Sequence, residues 1–128
     1  ANTIPIAGAK EDREMMESAF EQISDALREG ELVCIFPEGK ITDDGELNVF
    51  RPGVMKALER DPVPVIPLAL RGLWGSFFSR AHGNAMSRLF PRGMLSRLEV
   101  VAGDAVEAVT VTPELLQQKV AQLRGERR

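Results

Sequence analysis

The chain has 128 residues, of which 44% are hydrophobic and 27% are charged, which suits one domain, or most of one, with a moderate core and disfavours two full domains. Its formal net charge of −3 disfavours nucleic acid as a partner, because no overall positive field would attract phosphates. The single cysteine, Cys34, excludes an intramolecular disulfide and a multi-cysteine metal site, so we expect no metal.

A long amphipathic helix is predicted at residues 12–28. Its large apolar residues recur at i, i+4, i+7 and i+11, which places all four on one helical face: Met16, Phe20, Ile23 and Leu27. Asp12 can cap the first turn by accepting a hydrogen bond from a free backbone amide. Gly30 then provides the flexible residue that ends the helix.

A buried strand is predicted immediately after this helix. Leu32–Phe36 is a run of five apolar residues, which is typical of a strand covered on both faces within a parallel sheet. Cys34 lies in this strand with no histidine near it in the sequence. We therefore interpret it as a buried, unreactive thiol and not as a nucleophile.

The second half of the chain continues the alternation of helices and strands. Pro52 opens a short helix that runs to about Arg60. Residues 63–70 form a second apolar strand, whose two prolines restrict those positions to a sheet edge or to strand ends. A third strand is predicted at 98–101, and a final helix begins after the capping pair Thr112 and Pro113.

This order of elements predicts the fold class. Strands that alternate with helices indicate an α/β layer fold, and we expect a mixed, mainly parallel sheet flanked by helices. No window contains the roughly 18 uninterrupted apolar residues that a membrane-spanning helix needs. We therefore expect any contact with a membrane to be peripheral.

The segment that best suits chemistry is the turn Phe36-Pro37-Glu38-Gly39-Lys40-Ile41-Thr42. It follows the C-terminal end of a predicted parallel strand, where ligands bind in open α/β sheets. Gly39 permits close backbone approach, Lys40 is a mobile cation and Thr42 offers a hydroxyl, so the turn contains the parts of a phosphate site. An ordinary surface turn explains the same residues equally well.

Three blocks in this chain resemble the lysophosphatidate acyltransferase-like glycerolipid acyltransferases. That family typically has F-P-E-G-T-R-S, then F-x-x-G, then V-P-V-x-P-V. This chain has Phe36-Pro37-Glu38-Gly39, then Phe50-Arg51-Pro52-Gly53, then Val63-Pro64-Val65-Ile66-Pro67-Leu68. The sequence of the turn at residues 36–42, together with Arg71-Gly72-Leu73-Trp74-Gly75-Ser76-Phe77-Phe78, most resembles bacterial 2-acylglycerophosphoethanolamine acyltransferases. The resemblance covers about residues 1–75.

The resemblance implies acyl transfer from acyl-CoA or an acyl carrier protein to the free hydroxyl of a lysophospholipid. It also implies a location at the cytoplasmic side of the bacterial inner membrane. The family uses an H-x-x-x-x-D motif, in which the histidine is the general base and the aspartate orients it. The only histidine here is His82, followed five residues later by Ser87. We therefore expect residues 1–128 to be the C-terminal portion of one acyltransferase domain, whose N-terminal part is its partner.

The resemblance also assigns substrate-binding residues. The turn would bind the acceptor phosphate through Phe36, Pro37, Glu38, Gly39, Lys40 and Thr42, with Arg51 and Arg71 as further candidates. Ile41 stands where the family usually has an arginine, so Lys40 would supply a point charge that selects a phosphomonoester less strictly. Glu38 is expected to organise its loop by accepting backbone amides.

An aromatic segment at residues 73–80 has two interpretations. Its aromatic residues lie beside glycine, serine and arginine, a composition that suits contact with lipid head groups or an acyl chain: Trp74, Phe77 and Phe78. Packing in the protein core is the alternative. A noncatalytic lipid-binding module on the same scaffold is the second functional hypothesis for the whole chain.

Overall fold

A computed structural model of the chain describes residue 4 and residues 13–40, 42–73 and 97–126. Three α-helices and two strands lie in these ranges, with one turn of 3-10 helix at Ala108–Thr110. In chain order they are α1 (Arg13–Arg28), α2 (Gly53–Arg60), β1 (Leu68–Arg71), β2 (Glu99–Ala102) and α3 (Pro113–Arg124). Across the described ranges, no helix has both the length and the apolar character needed to cross a bilayer.

The helix boundaries follow local sequence rules. Helix α1 ends at Arg28, and Gly30 just after it has a positive φ of 81°, while the amide of Glu31 donates to the carbonyl of Ala26. The Thr112 side chain accepts a hydrogen bond from the Leu115 amide (3.1 Å), and Pro113 occupies the first helical position of α3. These predicted ends are confirmed, whereas the predicted cap Asp12 lies outside the described residues.

The predicted strand at Leu32–Phe36 is wrong in this structure. These residues belong to no strand, Leu32 is 98% exposed and Phe36 is 76% exposed. Cys34 is also exposed, which corrects the prediction of a buried thiol. An apolar run becomes a buried strand only where neighbouring strands pair with it, and the part of the chain that the structure describes places none beside this segment.

The sheet consists of β1 and β2, which pair antiparallel with Leu70 opposite Val100. Both were predicted as strands, but the pair is not parallel, so the described residues support an α/β fold without the mainly parallel sheet. The predicted strand at 63–70 is shorter than expected, because Pro64 and Pro67 have no amide to donate to a ladder. Only an isolated antiparallel bridge joins Val65 to Val106 before β1 begins.

The hydrophobic core lies where α2, α3 and the bridge at Val65 meet. Phe50 is 6% exposed and comes just before α2, which contributes its predicted core side through Val54 and Leu58. Helix α3 contributes Leu116. The buried cluster comprises Phe50, Val54, Leu58, Val106, Val111 and Leu116. Because Phe50 ends the loop that begins at the candidate turn, this core anchors one end of the candidate site.

A polar contact joins α1 to the end of α2. The Ser24 hydroxyl donates to one carboxylate oxygen of Asp61, and Arg28 Nε donates to the other at 3.0 Å. The hydrogen bond from Ser24, assisted by Arg28, lowers the pKa of Asp61 below its ordinary value of 3.8, although burial acts in the opposite direction. Ser24 itself is buried, so this contact satisfies its hydroxyl inside the protein.

We expect Asp61 to make the chain more sensitive to acid. Because its folded pKa lies below the unfolded one, it stabilises the fold above pH 4 and loses this contribution as the pH falls through the folded pKa. Asp61→Asn should therefore flatten the decline of the urea midpoint as the pH is lowered from about 5 through the folded pKa of Asp61. Asp25→Asn, at an exposed position of α1, is the control. Equal curves for Asp61→Asn and the unmodified chain would contradict the prediction.

Candidate functional site

The candidate phosphate turn is a tight turn held against the residues that precede α2. The Gly39 amide donates to the Phe36 carbonyl at 3.2 Å, and Gly39 has a positive φ of 67°, which favours glycine. The Arg51 amide donates to the Pro37 carbonyl at 2.8 Å. The first and second blocks of the sequence are therefore in direct contact, as a shared site requires.

Glu38 organises this loop, as predicted. Its Oε2 accepts a hydrogen bond from the Asn48 backbone amide at 2.8 Å and another from the Asn48 side-chain Nδ2 at 3.2 Å. One carboxylate thus joins the turn to Asn48 on the far side of the loop, ten residues later in the chain. With that oxygen already accepting two bonds, Glu38 is suited to shaping the loop and not to transferring a proton.

The Arg51 side chain packs against Gly39. A Cβ atom at position 39 would lie 3.2 Å from Arg51 Nε and 3.3 Å from Arg51 Cζ, so the absence of a side chain there makes room for the guanidinium. Arg51 is otherwise exposed, and the neighbouring Lys40 is exposed as well. Lys40 follows Gly39 in the chain and Arg51 packs against Gly39, so the turn presents two exposed cations, the charge that an anionic ligand requires.

Two acidic residues of the same loop, Asp44 and Glu46, bind other residues of the chain. Asp44 accepts hydrogen bonds from the Thr42 hydroxyl and the Glu46 amide, both at 2.9 Å. Glu46 in turn forms an ion pair with Arg124 at 2.9 Å. Thr42 was predicted to donate to phosphate, but its hydroxyl proton is directed at Asp44, so in this geometry the Thr42 oxygen is available only as an acceptor.

The structure separates the two candidate arginines. Arg71 Nε donates to the carbonyl of Leu123 at 2.9 Å, and its Nη2 donates to the same carbonyl. Its Nη1 lies 3.9 Å from a carboxylate oxygen of Glu99. A cation that binds the last carbonyls of a helix interacts favourably with the helix dipole, so these contacts attach β1 to the end of α3. Arg51, and not Arg71, lies against the turn.

Helix α3 also holds the loop, through residues that the sequence analysis did not identify. Gln117 Oε1 accepts a hydrogen bond from the Phe50 amide at 3.1 Å. Arg124 Nη1 donates to the Gly45 carbonyl at 3.0 Å. These contacts span 67 and 79 residues of sequence, and no local pattern signals them.

Several predicted residues lie outside the described ranges. They are Ile41, the aromatic residues Trp74, Phe77 and Phe78, and His82. The effect of Ile41 on phosphate selection stays a prediction. So do the contact of the three aromatic residues with a membrane or acyl chain and the position of His82 in a loop. Among the residues that the structure describes, no group of three or more His, Cys, Asp or Glu could hold a metal ion.

Comparison with known proteins gives evidence on the family to which the chain belongs. The chain is 31% identical over 65 residues to a probable 1-acyl-sn-glycerol-3-phosphate acyltransferase of Mycoplasma pneumoniae, an alignment that covers 51% of this chain. The chain spans about a quarter of the length of this curated relative (24%). No solved structure matches the chain significantly. The family model described as Acyltransferase matches residues 2–71, which include the turn, the Arg51 segment and all of β1. Because this match covers more than half of the chain, the chain belongs to the acyltransferase family.

Proposed function

We propose that this chain binds the phosphate of a lysophospholipid acceptor in an enzyme that transfers an acyl chain to the acceptor's free hydroxyl. The observation that carries the proposal is the position of Arg51 against Gly39, in a turn that Glu38 ties to Asn48. Lys40, which follows Gly39 in the chain, supplies a second exposed cation. A loop whose shape is fixed and whose cations face solvent is suited to bind a phosphate group.

The reaction that we propose needs no metal and no cofactor. The acceptor hydroxyl attacks the carbonyl carbon of an acyl thioester, carried by acyl-CoA or by an acyl carrier protein. The new ester C–O bond forms, the C–S bond breaks, and the thiol leaves with the proton that the hydroxyl loses. Membership of the acyltransferase family and the printed name of the Mycoplasma relative support this reaction class.

The general base is the part of this chemistry that these 128 residues do not supply. The sequence contains no H-x-x-x-x-D motif, and its one histidine is followed five residues later by Ser87. We propose that residues 1–128 act together with the N-terminal part of the same acyltransferase domain, which carries the base. We further propose that this domain works at the cytoplasmic side of the bacterial inner membrane, where its lipid acceptor lies.

The identity of the acceptor head group can be tested by comparing two ligands. The relative's name indicates a phosphomonoester, 1-acylglycerol 3-phosphate, whereas Ile41 in the usual arginine position favours a less selective site that accepts the diester 2-acylglycerophosphoethanolamine. We propose the diester, because Ile41 replaces the arginine that would add a further bidentate donor to the site, and Lys40 beside it in the sequence offers only a point charge. Tighter binding of the phosphomonoester by the unmodified chain would overturn this assignment.

We expect Arg51→Ala to weaken the binding of both lysolipids by about tenfold to thirtyfold, since a hydrogen bond to a charged group contributes about 1.5–2 kcal/mol. Titration calorimetry with short-chain lysolipids below their micelle concentration measures this change. Arg13→Ala removes the same charge from a side chain that is 90% exposed and is the matched control. Equal affinities for both variants would contradict the proposed site.

The alternative function is a noncatalytic lipid-binding module on the same scaffold. The missing H-x-x-x-x-D motif is the observation that favours it. Acyl transfer from a labelled thioester to lysophosphatidylethanolamine should be measured for this chain and for a version extended upstream by about 70 residues, about half of a typical domain. Activity of the extended form alone would support the enzyme, and lysolipid binding without activity in either form would support the module.

A further inference from the structure

Helix α3 lies beyond the matched family segment, yet it contacts both ends of the loop that follows the candidate phosphate turn. Gln117 bonds the Phe50 amide at one end, and Arg124 bonds the Gly45 carbonyl and the Glu46 carboxylate at the other. We propose that Gln117 and Arg124 are positioning residues that hold the turn and Arg51 in the geometry that binds phosphate. This inference rests on the proposed function and names the helix that holds its binding site in place.

The spacing of the two residues fits this role. Residues 117 and 124 are seven positions apart, which is two helical turns and places both side chains on one face of α3. Their contacts lie five residues apart in the loop, at Gly45 and Phe50. A loop that is fixed at two points by one rigid helix loses most of its conformational freedom before any ligand binds, so the ligand does not have to order it.

The burial of Arg124 indicates that its contacts are maintained. Its side chain is only 15% exposed, and its Nε is buried without a hydrogen-bond partner among the described residues. Burying an unpaired N–H is unfavourable, so the arrangement persists because Nη1 and Nη2 both bind the loop. A surface arginine without structural contacts would instead keep its guanidinium in water.

The loop transmits this constraint to the phosphate turn. Phe50 directly precedes Arg51, whose amide bonds Pro37 of the turn and whose side chain packs on Gly39. Two residues before Phe50, Asn48 donates twice to Glu38. Releasing Phe50 from Gln117 therefore loosens both contacts that define the turn.

The test combines hydrogen exchange with ligand binding in the 128-residue chain. Gln117→Ala should lower the exchange protection of the Phe50 and Asn48 amides, measured by NMR, by about tenfold. It should also weaken binding of hexanoyl-glycerophosphoethanolamine by about fivefold to tenfold, as the loss of one hydrogen bond predicts. Arg124→Gln should produce the same two changes from the other end of the loop.

Two control variants separate positioning from general damage. Gln118→Ala removes the same side chain at the exposed neighbouring position of α3 and should change neither readout. Gln117→Glu keeps an oxygen that accepts from the Phe50 amide and should restore the protection of both amides.

The outcomes distinguish this inference from the proposed function. Unchanged protection in Gln117→Ala, or lost protection with unchanged affinity, would overturn the positioning role. An unmodified chain that does not bind the lysolipid, but whose Asn48 amide loses protection in Gln117→Ala, would refute the proposed ligand while leaving the action of α3 on the turn in place.

Discussion

Replacing Phe50 with alanine is expected to lower the free energy of unfolding by about 3–5 kcal/mol, the range for removing a buried phenylalanine. Phe50 is 6% exposed and belongs to the core cluster that includes Val54 and Leu116. The cost is the lost burial of the ring together with the cavity that its removal leaves. Because native domains are stable by only about 5–15 kcal/mol, this variant should unfold at a much lower urea concentration.

Phe36→Ala is the matched control for this experiment. The same substitution at a side chain that is 76% exposed should change stability by less than about 0.5 kcal/mol. The pair also tests the architecture, since the sequence pattern predicts a buried strand ending at Phe36. If Phe36→Ala lowered the free energy of unfolding as much as Phe50→Ala, the Phe36 side chain would have to be covered in solution. That result would contradict its 76% exposure.

Replacing Glu38 with alanine is expected to weaken lysolipid binding by about tenfold to hundredfold, and to destabilise the chain by about 1.5–3 kcal/mol, since both bonds to Asn48 end on one carboxylate oxygen. Whether binding becomes weaker or stronger distinguishes two roles of Glu38. Removing a negative charge near a phosphate site strengthens anion binding if charge alone matters. Weaker binding therefore means that Glu38 acts by shaping the turn.

Two variants complete the test of Glu38. Glu38→Gln keeps one oxygen that can accept from the Asn48 amide, so it should retain most of the affinity. Glu31→Ala removes the same charge at an exposed position before the turn and should leave binding within about twofold. Titration calorimetry with both lysolipids gives the affinities, and urea unfolding gives the stabilities. Tighter binding by Glu38→Ala would refute the organising role.

Much of the helical structure could be predicted because its determinants are local. Three features depend on residues within a few positions: the end of α1 just before Gly30, the cap from Thr112 with Pro113, and the core side of α2 at Val54 and Leu58. That Glu38 accepts a backbone amide was also predictable, because an ionised carboxylate acts only as an acceptor, although its partner Asn48 lies ten residues away and no local pattern indicates it. These features are confirmed.

The sheet could not be predicted in the same way. An apolar run shows that Leu32–Phe36 is suited to burial, but it carries no information on whether another strand lies beside it. Pairing direction has the same limitation, because an apolar run that is typical of a parallel strand also occurs in an antiparallel pair such as β1 and β2. The structure pairs them antiparallel and leaves Leu32, Cys34 and Phe36 exposed.

The composition of the candidate site was determined by the sequence, because the residue types of the turn, its glycine and its nearby cations are local properties that the family motifs also record. Tertiary structure decided which of these residues act together. It placed Arg51 on Gly39, directed Arg71 to the end of α3 and brought Gln117 and Arg124 to the loop. Contacts across 50 to 80 residues depend on how helices and strands pack, which is a property of the whole fold and not of any one segment.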